Sequence, residues 1–157
     1  TVLSKLSIGE NIVKENLDLV PILEDMKAEF ASQLSHVSMT LNTNIPDSLI
    51  IKANPIISEI PKNYISNAIK YSSDGGTINL ILREEGGTVT LRIDDSGKPI
   101  PTEMRAAIFK RNVQLGDGEK RGRGLGLAIV KRIANAHDAT VGIEDSSTGG
   151  NSFFLKF

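Results

Sequence analysis

The chain has 157 residues, 39% of them apolar and 24% charged, and its 18 basic and 19 acidic side chains leave a formal charge of −1. That length suits a single domain with its own core, and the balanced charge removes the electrostatic case for nucleic acid or an anionic membrane as main partner. Cysteine is absent, which excludes disulfides and thiolate metal sites and permits a reducing compartment, and no apolar run approaches the ~20 residues of a spanning helix.

Thr1 stands where an initiator methionine would, and no signal peptide is visible. Both features predict an excised fragment, cytoplasmic as it stands, whose parent could carry a sensor or anchor upstream. Residues 1–9 read as the last turns of a helix that begins outside the chain and stops at Gly9. From Asp18 a helix is predicted, with Asp18 as cap, Pro21 in the first turn, and Ile22, Leu23, Met26, Phe30 and Leu34 on one face. Val37, Met39 and Leu41 alternate with polar residues, the period of a half-buried strand. A short strand follows at 49–52.

Asn54-Pro55 opens the next helix, whose apolar side carries Ile56, Ile57, Ile60, Tyr64, Ala68 and Ile69. Pro61 falls inside it and should kink or restart it, because proline deletes a backbone hydrogen bond. Strand-rich runs at 77–82 and 88–93 are joined through Glu85-Gly86-Gly87, a hairpin signal. Thr102 is expected to cap a short helix ending near Phe109. A glycine-rich, charged stretch runs to Gly122, Gly124 opens a helix reaching about His137, and strands at 140–144 and 152–157 close the chain. The pattern predicts an α+β fold: one mixed, largely antiparallel sheet in a two-layer sandwich with helices on one face.

Four segments carry chemistry together, although each alone is ambiguous. Asn63 and Asn67 lie four apart on one helical face, with Lys70 one turn further. Two amides and an ammonium on that stripe suit a Mg²⁺–triphosphate, since magnesium takes oxygen ligands and keeps most of its shell as water and phosphate. The alternative is a solvated polar face. Second, Ile93-Asp94-Asp95-Ser96-Gly97-Lys98-Pro99-Ile100 runs an apolar strand into a carboxylate and a turn. A carboxylate buried there can accept a hydrogen bond from the exocyclic amine of adenine and refuse guanine, which presents an oxygen; a plain surface turn is the bland reading.

Third, Gly122-Arg123-Gly124-Leu125-Gly126-Leu127 precedes an amphipathic helix. Its glycines let backbone approach phosphates, and the helix start presents free N–H groups. No strand leads into it and it lacks the Lys-Ser/Thr ending of a P-loop, so it is a phosphate cradle of another kind. Lys120, Arg121 and Arg123 add positive charge. Fourth, Thr148-Gly149-Gly150-Asn151-Ser152 forms a tight turn before the last strand.

In this order the four segments resemble the GHKL ATPase–kinase superfamily (Bergerat fold), and within it the catalytic domain of sensor histidine kinases. The stretch from Asn63 through Asn67, Lys70 and Tyr71 to Ser72 resembles the asparagine box. Asp95 to Ile100 resembles the first glycine box, Ile108-Phe109 the phenylalanine box, Gly122 to Leu127 the second glycine box, and Gly149 to Phe153 the last glycine turn. The resemblance covers residues 15–157, and Leu3-Ser4-Lys5-Leu6 looks like the end of the family's dimerisation helix. Residues 1–14 are thus expected to be a remnant of that helix and linker, and 15–157 the ATP-binding domain.

Carried over to matching positions, the resemblance implies that Asn67 binds Mg²⁺ and that Asn63 helps hold metal or phosphates. Lys70 would contact the phosphate chain and the Tyr71 ring would lie against adenine. Asp95 would read the adenine amine, with Gly97 letting the chain turn beneath the base and Ile100 closing that segment. Gly122, Arg123, Gly124, Leu125 and Gly126 would line the phosphates at the end of a mobile lid at 110–121, whose Gly116-Asp117-Gly118 supplies hinge-like freedom. Ser152 stands where the family has a threonine that helps hold the adenine-binding carboxylate. Pro99 departs from the family's glycine, Asn112 replaces a second aromatic after Phe109, and Asp138-Ala139 replaces Gly-Gly at the end of the long helix.

The implied reaction is transfer of the γ-phosphoryl group of ATP to a histidine on a partner domain, with Asn63 and Lys70 in catalytic roles. Related chaperone and gyrase-type ATPases carry at the Asn63 position a glutamate that activates water; an amide cannot, so slow hydrolysis is expected. His36 and His137 do not match a phosphoacceptor context and are read as structural, His137 at a helix end where positive charge suits the dipole. The fragment should therefore bind ATP yet fail to phosphorylate itself. The implied partners are its own dimerisation and phosphoacceptor domain, a response regulator, and a second copy of the parent in a homodimer. Two alternatives share the fold: a nucleotide-controlled interaction module with little kinase activity, supported by Pro99, and a serine kinase of the anti-sigma type.

Overall fold

The computed structural model describes residues 12–72, 75–110, 127–147 and 149–157. Strand β1 (Glu15–Asp18) leads into helix α1 (Leu19–His36), followed by β2 (Thr40–Asn44) and β3 (Ile50–Ala53). A 3-10 turn (Pro55–Ser58) precedes α2 (Glu59–Tyr71), and the hairpin β4 (Thr77–Glu85) and β5 (Thr88–Asp94) follows it. Two 3-10 turns (Thr102–Met104 and Ala107–Phe109), helix α3 (Leu127–Ala136), β6 (Thr140–Asp145) and β7 (Asn151–Lys156) complete the order. Expectations placed on residues 1–9, on the lid at 111–121 and on the second glycine box at 122–126 lie outside the described residues.

Five strands form one sheet in the order β2-β4-β5-β7-β6. Only β2 and β4 run parallel; the remaining pairs are antiparallel. The period-2 alternation buries Leu80, Leu82, Leu91, Ile93, Phe153 and Leu155 on one face, where they meet the apolar stripes of the helices. Leu23, Met26, Phe30 and Leu34 of α1 and Val130 and Ile133 of α3 fill that layer. This is the two-layer sandwich that the pattern predicts, with a mixed, largely antiparallel sheet.

Local signals explain most element ends. Asp18 caps α1 by accepting from the Val20 N–H at 3.0 Å, and it also takes the Leu49 N–H at 3.0 Å and the Ser48 hydroxyl at 2.7 Å. These donors, Leu49 first, hold its carboxyl below the usual carboxylate range. Gly86 (φ 57°) and Gly87 (φ 83°) make the β4–β5 turn, which needs left-handed backbone at both positions. Pro61 restarts rather than kinks the helix. It is the third residue of α2, where its missing N–H had no intrahelical partner to lose, and the 3-10 turn capped by Asn54 precedes it.

Other expectations change. β1 carries no alternating signal and is ordered by antiparallel pairing with β3. Val37 is the C-cap of α1 rather than a strand residue, and Ser38 turns through φ 54° before β2. In place of one helix capped by Thr102 there are two 3-10 turns, the first with Pro101 at its N-cap. Asp138 does take the left-handed backbone expected of it, at φ 55°.

His137 differs most. It is buried at 6% exposure, its Nδ1 lies 2.8 Å from the Ile133 carbonyl, and its Nε2 accepts the Asn54 N–H at 3.0 Å. That pairing requires the neutral ring with the proton on Nδ1, so the residue is no charged complement to the helix dipole. Burial, first, and the Lys14 charge lower its pKa below the ordinary 6.5; the hydrogen bond to the Ile133 carbonyl and the charge of Asp138 act the other way. The neutral imidazole fastens the end of α3 to the chain entering α2. With the folded pKa depressed, the unfolded chain takes the proton first, so this stabilisation is present above about pH 6.5 and lost as pH falls through the folded pKa. Urea unfolding from pH 8 to pH 5 should show stability falling below about 6.5, and His137→Gln should flatten that limb while lowering stability at pH 8.

Candidate functional site

The polar stripe of α2 is assembled as its spacing predicts. Ile60, Tyr64, Ile65 and Ala68 bury the opposite side against the sheet and α3. Tyr64 anchors the helix, its hydroxyl donating to the Phe154 carbonyl at 2.9 Å and its ring centroid 5.2 Å from that of Phe153. Asn63 is half-buried; its Nδ2 donates to the Glu59 carbonyl one turn back at 2.7 Å. Asn67 is 6% exposed, Lys70 is exposed, and Tyr71 is half-buried at the helix end.

That helix end abuts the Asp95 turn. A Cβ on Gly97 would lie 3.2 Å from the Tyr71 carbonyl oxygen and 3.3 Å from Ser72 Oγ. Gly97 thus lets the turn approach the end of α2 closely. Asp95 is 3% exposed. Its Oδ1 takes the Gly97 N–H at 3.0 Å, the Asn151 N–H at 3.0 Å and the Asn151 side-chain amide at 3.4 Å. Burial is the larger influence and raises its pKa; these donors, led by the Asn151 N–H, pull it down, and the charge of Asp94 adds to the rise. Ile100 is buried, with its N–H on Asn151 Oδ1 at 2.8 Å and its carbonyl accepting from Arg105 Nε at 3.0 Å.

Ser152 is placed elsewhere than expected. Its hydroxyl accepts from Arg92 at 3.2 Å, and the same Arg92 nitrogen meets Glu144 at 2.6 Å. Adjacent residues of a strand point to opposite faces, so Asn151 and not Ser152 holds the carboxylate. Asn151 is a partner of the carboxylate that the sequence leaves unassigned; only its place one residue nearer the turn marks it. Gly150 precedes it in the turn. A Cβ there would overlap the Asp95 carbonyl oxygen and lie 2.7 Å from Oδ1, so only glycine lets β7 start against this turn. Gly122, Arg123, Gly124, Leu125 and Gly126 lie outside the described residues, next to Leu127, which is buried at the start of α3.

The donor set fits an adenine nucleotide carrying magnesium. It offers amide and carboxylate oxygens and one ammonium. No group of three or more His, Cys, Asp or Glu side chains occurs among the described residues. Magnesium on a phosphate chain needs few protein ligands, and amide oxygens suit it. No helix among the described residues is long and apolar enough to cross a membrane.

A family profile described as histidine kinase-, DNA gyrase B- and HSP90-like ATPase matches residues 54–157. The chain is 33% identical over 144 residues to the sensor histidine kinase TmoS of Ectopseudomonas mendocina, covering 88% of this chain and 15% of that protein. It is 30% identical over 146 residues to the adaptive-response sensory kinase SasA of Trichormus variabilis, covering 90% and 36%. Among solved structures, the nucleotide-free catalytic domain of the histidine kinase ThkA gives a TM-score of 0.81 at 21% identity, covering 91% of this chain and 95% of that one. Full-length ShkA in complex with AMPPNP gives 0.78 at 22% identity, covering 94% and 31%. The chain therefore spans well under half the length of the curated relatives it matches.

The contact made by Gly150 can be tested directly. Gly150→Ala should destabilise the protein by about 1–3 kcal/mol through overpacking and weaken nucleotide binding with it, read from the thermal midpoint and from calorimetry on one sample.

Proposed function

The chain belongs to the histidine kinase-, DNA gyrase B- and HSP90-like ATPases, and from that membership we propose that it is the ATP-binding catalytic domain of a sensor histidine kinase, directing the γ-phosphoryl group of Mg-ATP to a histidine on a separate dimerisation domain. One observation carries the reading: the buried Asp95 carboxylate is held beside the C-terminal end of the asparagine-bearing helix α2. AMPPNP, named with ShkA, is the type of ligand such a site takes.

Bound magnesium–ATP supplies the transferable phosphoryl group and a cation to offset its charge. Asp95 accepts the exocyclic amine of adenine, and Ile100 and Tyr71 supply apolar surface. Asn67 offers its amide oxygen to the metal, and Asn63, its Nδ2 engaged by Glu59, presents its oxygen to metal or phosphate. Lys70 brings its ammonium to the phosphate chain. Positioning and charge neutralisation are most of what phosphoryl transfer asks of a protein. No carboxylate occupies position 63 to deprotonate a water, which favours transfer to a protein nucleophile over hydrolysis. The partners that follow are a phosphoacceptor domain, a response regulator and a second copy of the parent chain, and the site as built would work in the cytoplasm.

Nucleotide affinity with and without Mg²⁺ tests the site. Asp95→Ala should lose at least about 10-fold in affinity through the lost buried hydrogen bond, and Asn67→Ala should lose the magnesium-dependent part of binding. Wild-type affinity in Asp95→Ala would sink the reading. With γ-labelled ATP the chain alone should take no label, and a separately supplied dimerisation domain should take acid-labile label on histidine. Acid-stable label on serine would point to a serine kinase instead, and no label to a nucleotide-controlled interaction module.

A further inference from the structure

Asn151 touches both backbone groups that flank Pro99. Its Oδ1 accepts the Ile100 N–H at 2.8 Å, and its Nδ2 donates to the Lys98 carbonyl at 3.0 Å. Nδ2 also lies 3.4 Å from Asp95 Oδ1, and the residue is 4% exposed. Pro99 has no N–H to contribute and a φ fixed near about −65°, so the turn has no backbone donor of its own at that position. The segment is closed from outside, by a side chain on another strand.

The three partners select the residue type. A donor is needed towards Lys98 and towards Asp95, and an acceptor towards Ile100. A primary amide has two donor hydrogens and an oxygen in one plane. Serine and threonine have a single hydroxyl proton and cannot serve both oxygens, whereas an ionised aspartate has none and would face the Asp95 charge. With Asn151 removed, the Lys98 carbonyl loses this donor, the Ile100 N–H loses its acceptor, and Asp95 loses an amide donor.

We propose that Asn151 is a positioning residue for nucleotide recognition, which locks the Pro99 turn and Asp95 into one rigid unit and so sets the affinity and the adenine-over-guanine preference of the site. The proposal rests on the reading of Asp95 as the adenine acceptor. A turn already fixed in its bound shape loses no ordering entropy when the base arrives, and its carboxylate stays where only an amine can meet it. Pro99 and Asn151 act as a pair: proline narrows the backbone's freedom, and the amide selects one path from what remains.

The test is a double-mutant cycle on ADP affinity by calorimetry, with GDP as the second probe. The proteins are the native chain, Asn151→Ser, Pro99→Gly, the Asn151→Ser/Pro99→Gly double variant, Asn151→Asp and Asp95→Ala. Asn151→Ser should weaken ADP binding by about 10-fold with little change for GDP, so the base preference narrows. Asn151→Asp, which keeps the side-chain shape, should do the same. Losses from Asn151→Ser and Pro99→Gly should not multiply, because both act on one turn. Amide exchange of Ile100 in nucleotide-free protein should accelerate in Asn151→Ser while amides of β4 and β5 stay protected; this reads the lock independently of binding. Native ADP affinity and base preference in both folded Asn151 variants, or losses that multiply independently, would overturn the proposal. If those variants bind normally while Asp95→Ala does not bind, the lock alone fails; if Asp95→Ala also binds normally, the adenine reading itself fails.

Discussion

Where β5 ends and β7 begins, two residues exchange hydrogen bonds that the rest of the site depends on. The Asp95 N–H donates to the Asn151 carbonyl at 2.8 Å, and the Asn151 N–H returns to Asp95 Oδ1 at 3.0 Å. A carboxylate 3% exposed would be costly to keep charged without such donors. Backbone groups of Asn151 and Gly97 provide the first of them, and the Asn151 side-chain amide adds another. The bare Cα of Gly150 permits the approach, and the bare Cα of Gly97 lets the same turn press on the end of α2. Two glycines bring three elements to one place.

Around that point the fold acts as a jig. Tyr64 pins α2 to the middle of β7 through the Phe154 carbonyl, which holds the Asn63–Asn67 stripe at a set height above the sheet. Arg105 ties the Ile100 carbonyl to β6 by also reaching Asp145 at 2.6 Å. His137 fastens the far end of α3 to the Asn54 N–H, so the helix that follows the glycine-rich segment is secured at its distal end. On the other sheet face, Phe154 packs over Gly142 with the Arg92 guanidinium 5.5 Å and the Lys156 ammonium 4.9 Å from its ring centroid. Among the described residues, the candidate-site side chains of α2 and Asp95 lie on the opposite, helix-covered side.

Periodicity and turn chemistry made much of this legible. Leu23, Met26, Phe30 and Leu34 recur at helical spacing and all are buried; Gly86-Gly87 turns the hairpin it signals. Asn63 and Asn67 lie on a helix and Asp95 at a strand end, the elements the pattern predicts for them. The misses share a cause, dependence on partners distant in sequence. β1 exists because β3 pairs with it across more than 30 residues. His137 is neutral because Asn54, 83 positions away, donates to it. Assigning the carboxylate's support to Ser152 rather than Asn151 is an error of one position. In a strand that is an error of one whole face, since side-chain direction has period two and the parity is set by pairing register. The place of Pro61 was readable as an interruption, but whether it kinks or restarts a helix depends on where the preceding 3-10 turn ends.

The strand order has a consequence for how the domain comes into being. β7, the last strand in the chain, lies inside the sheet between β5 and β6, so the earlier strands cannot close into a continuous layer until the final residues join them. A ribosome releasing this chain from its N-terminus would deliver α1, α2 and the β4–β5 hairpin well before the piece that completes them. Such late, long-range insertion slows folding and leaves an open hydrogen-bonding edge on β5 during synthesis. The Asp95–Asn151 corner, built across 56 residues of sequence, would take its shape only once β7 has joined β5.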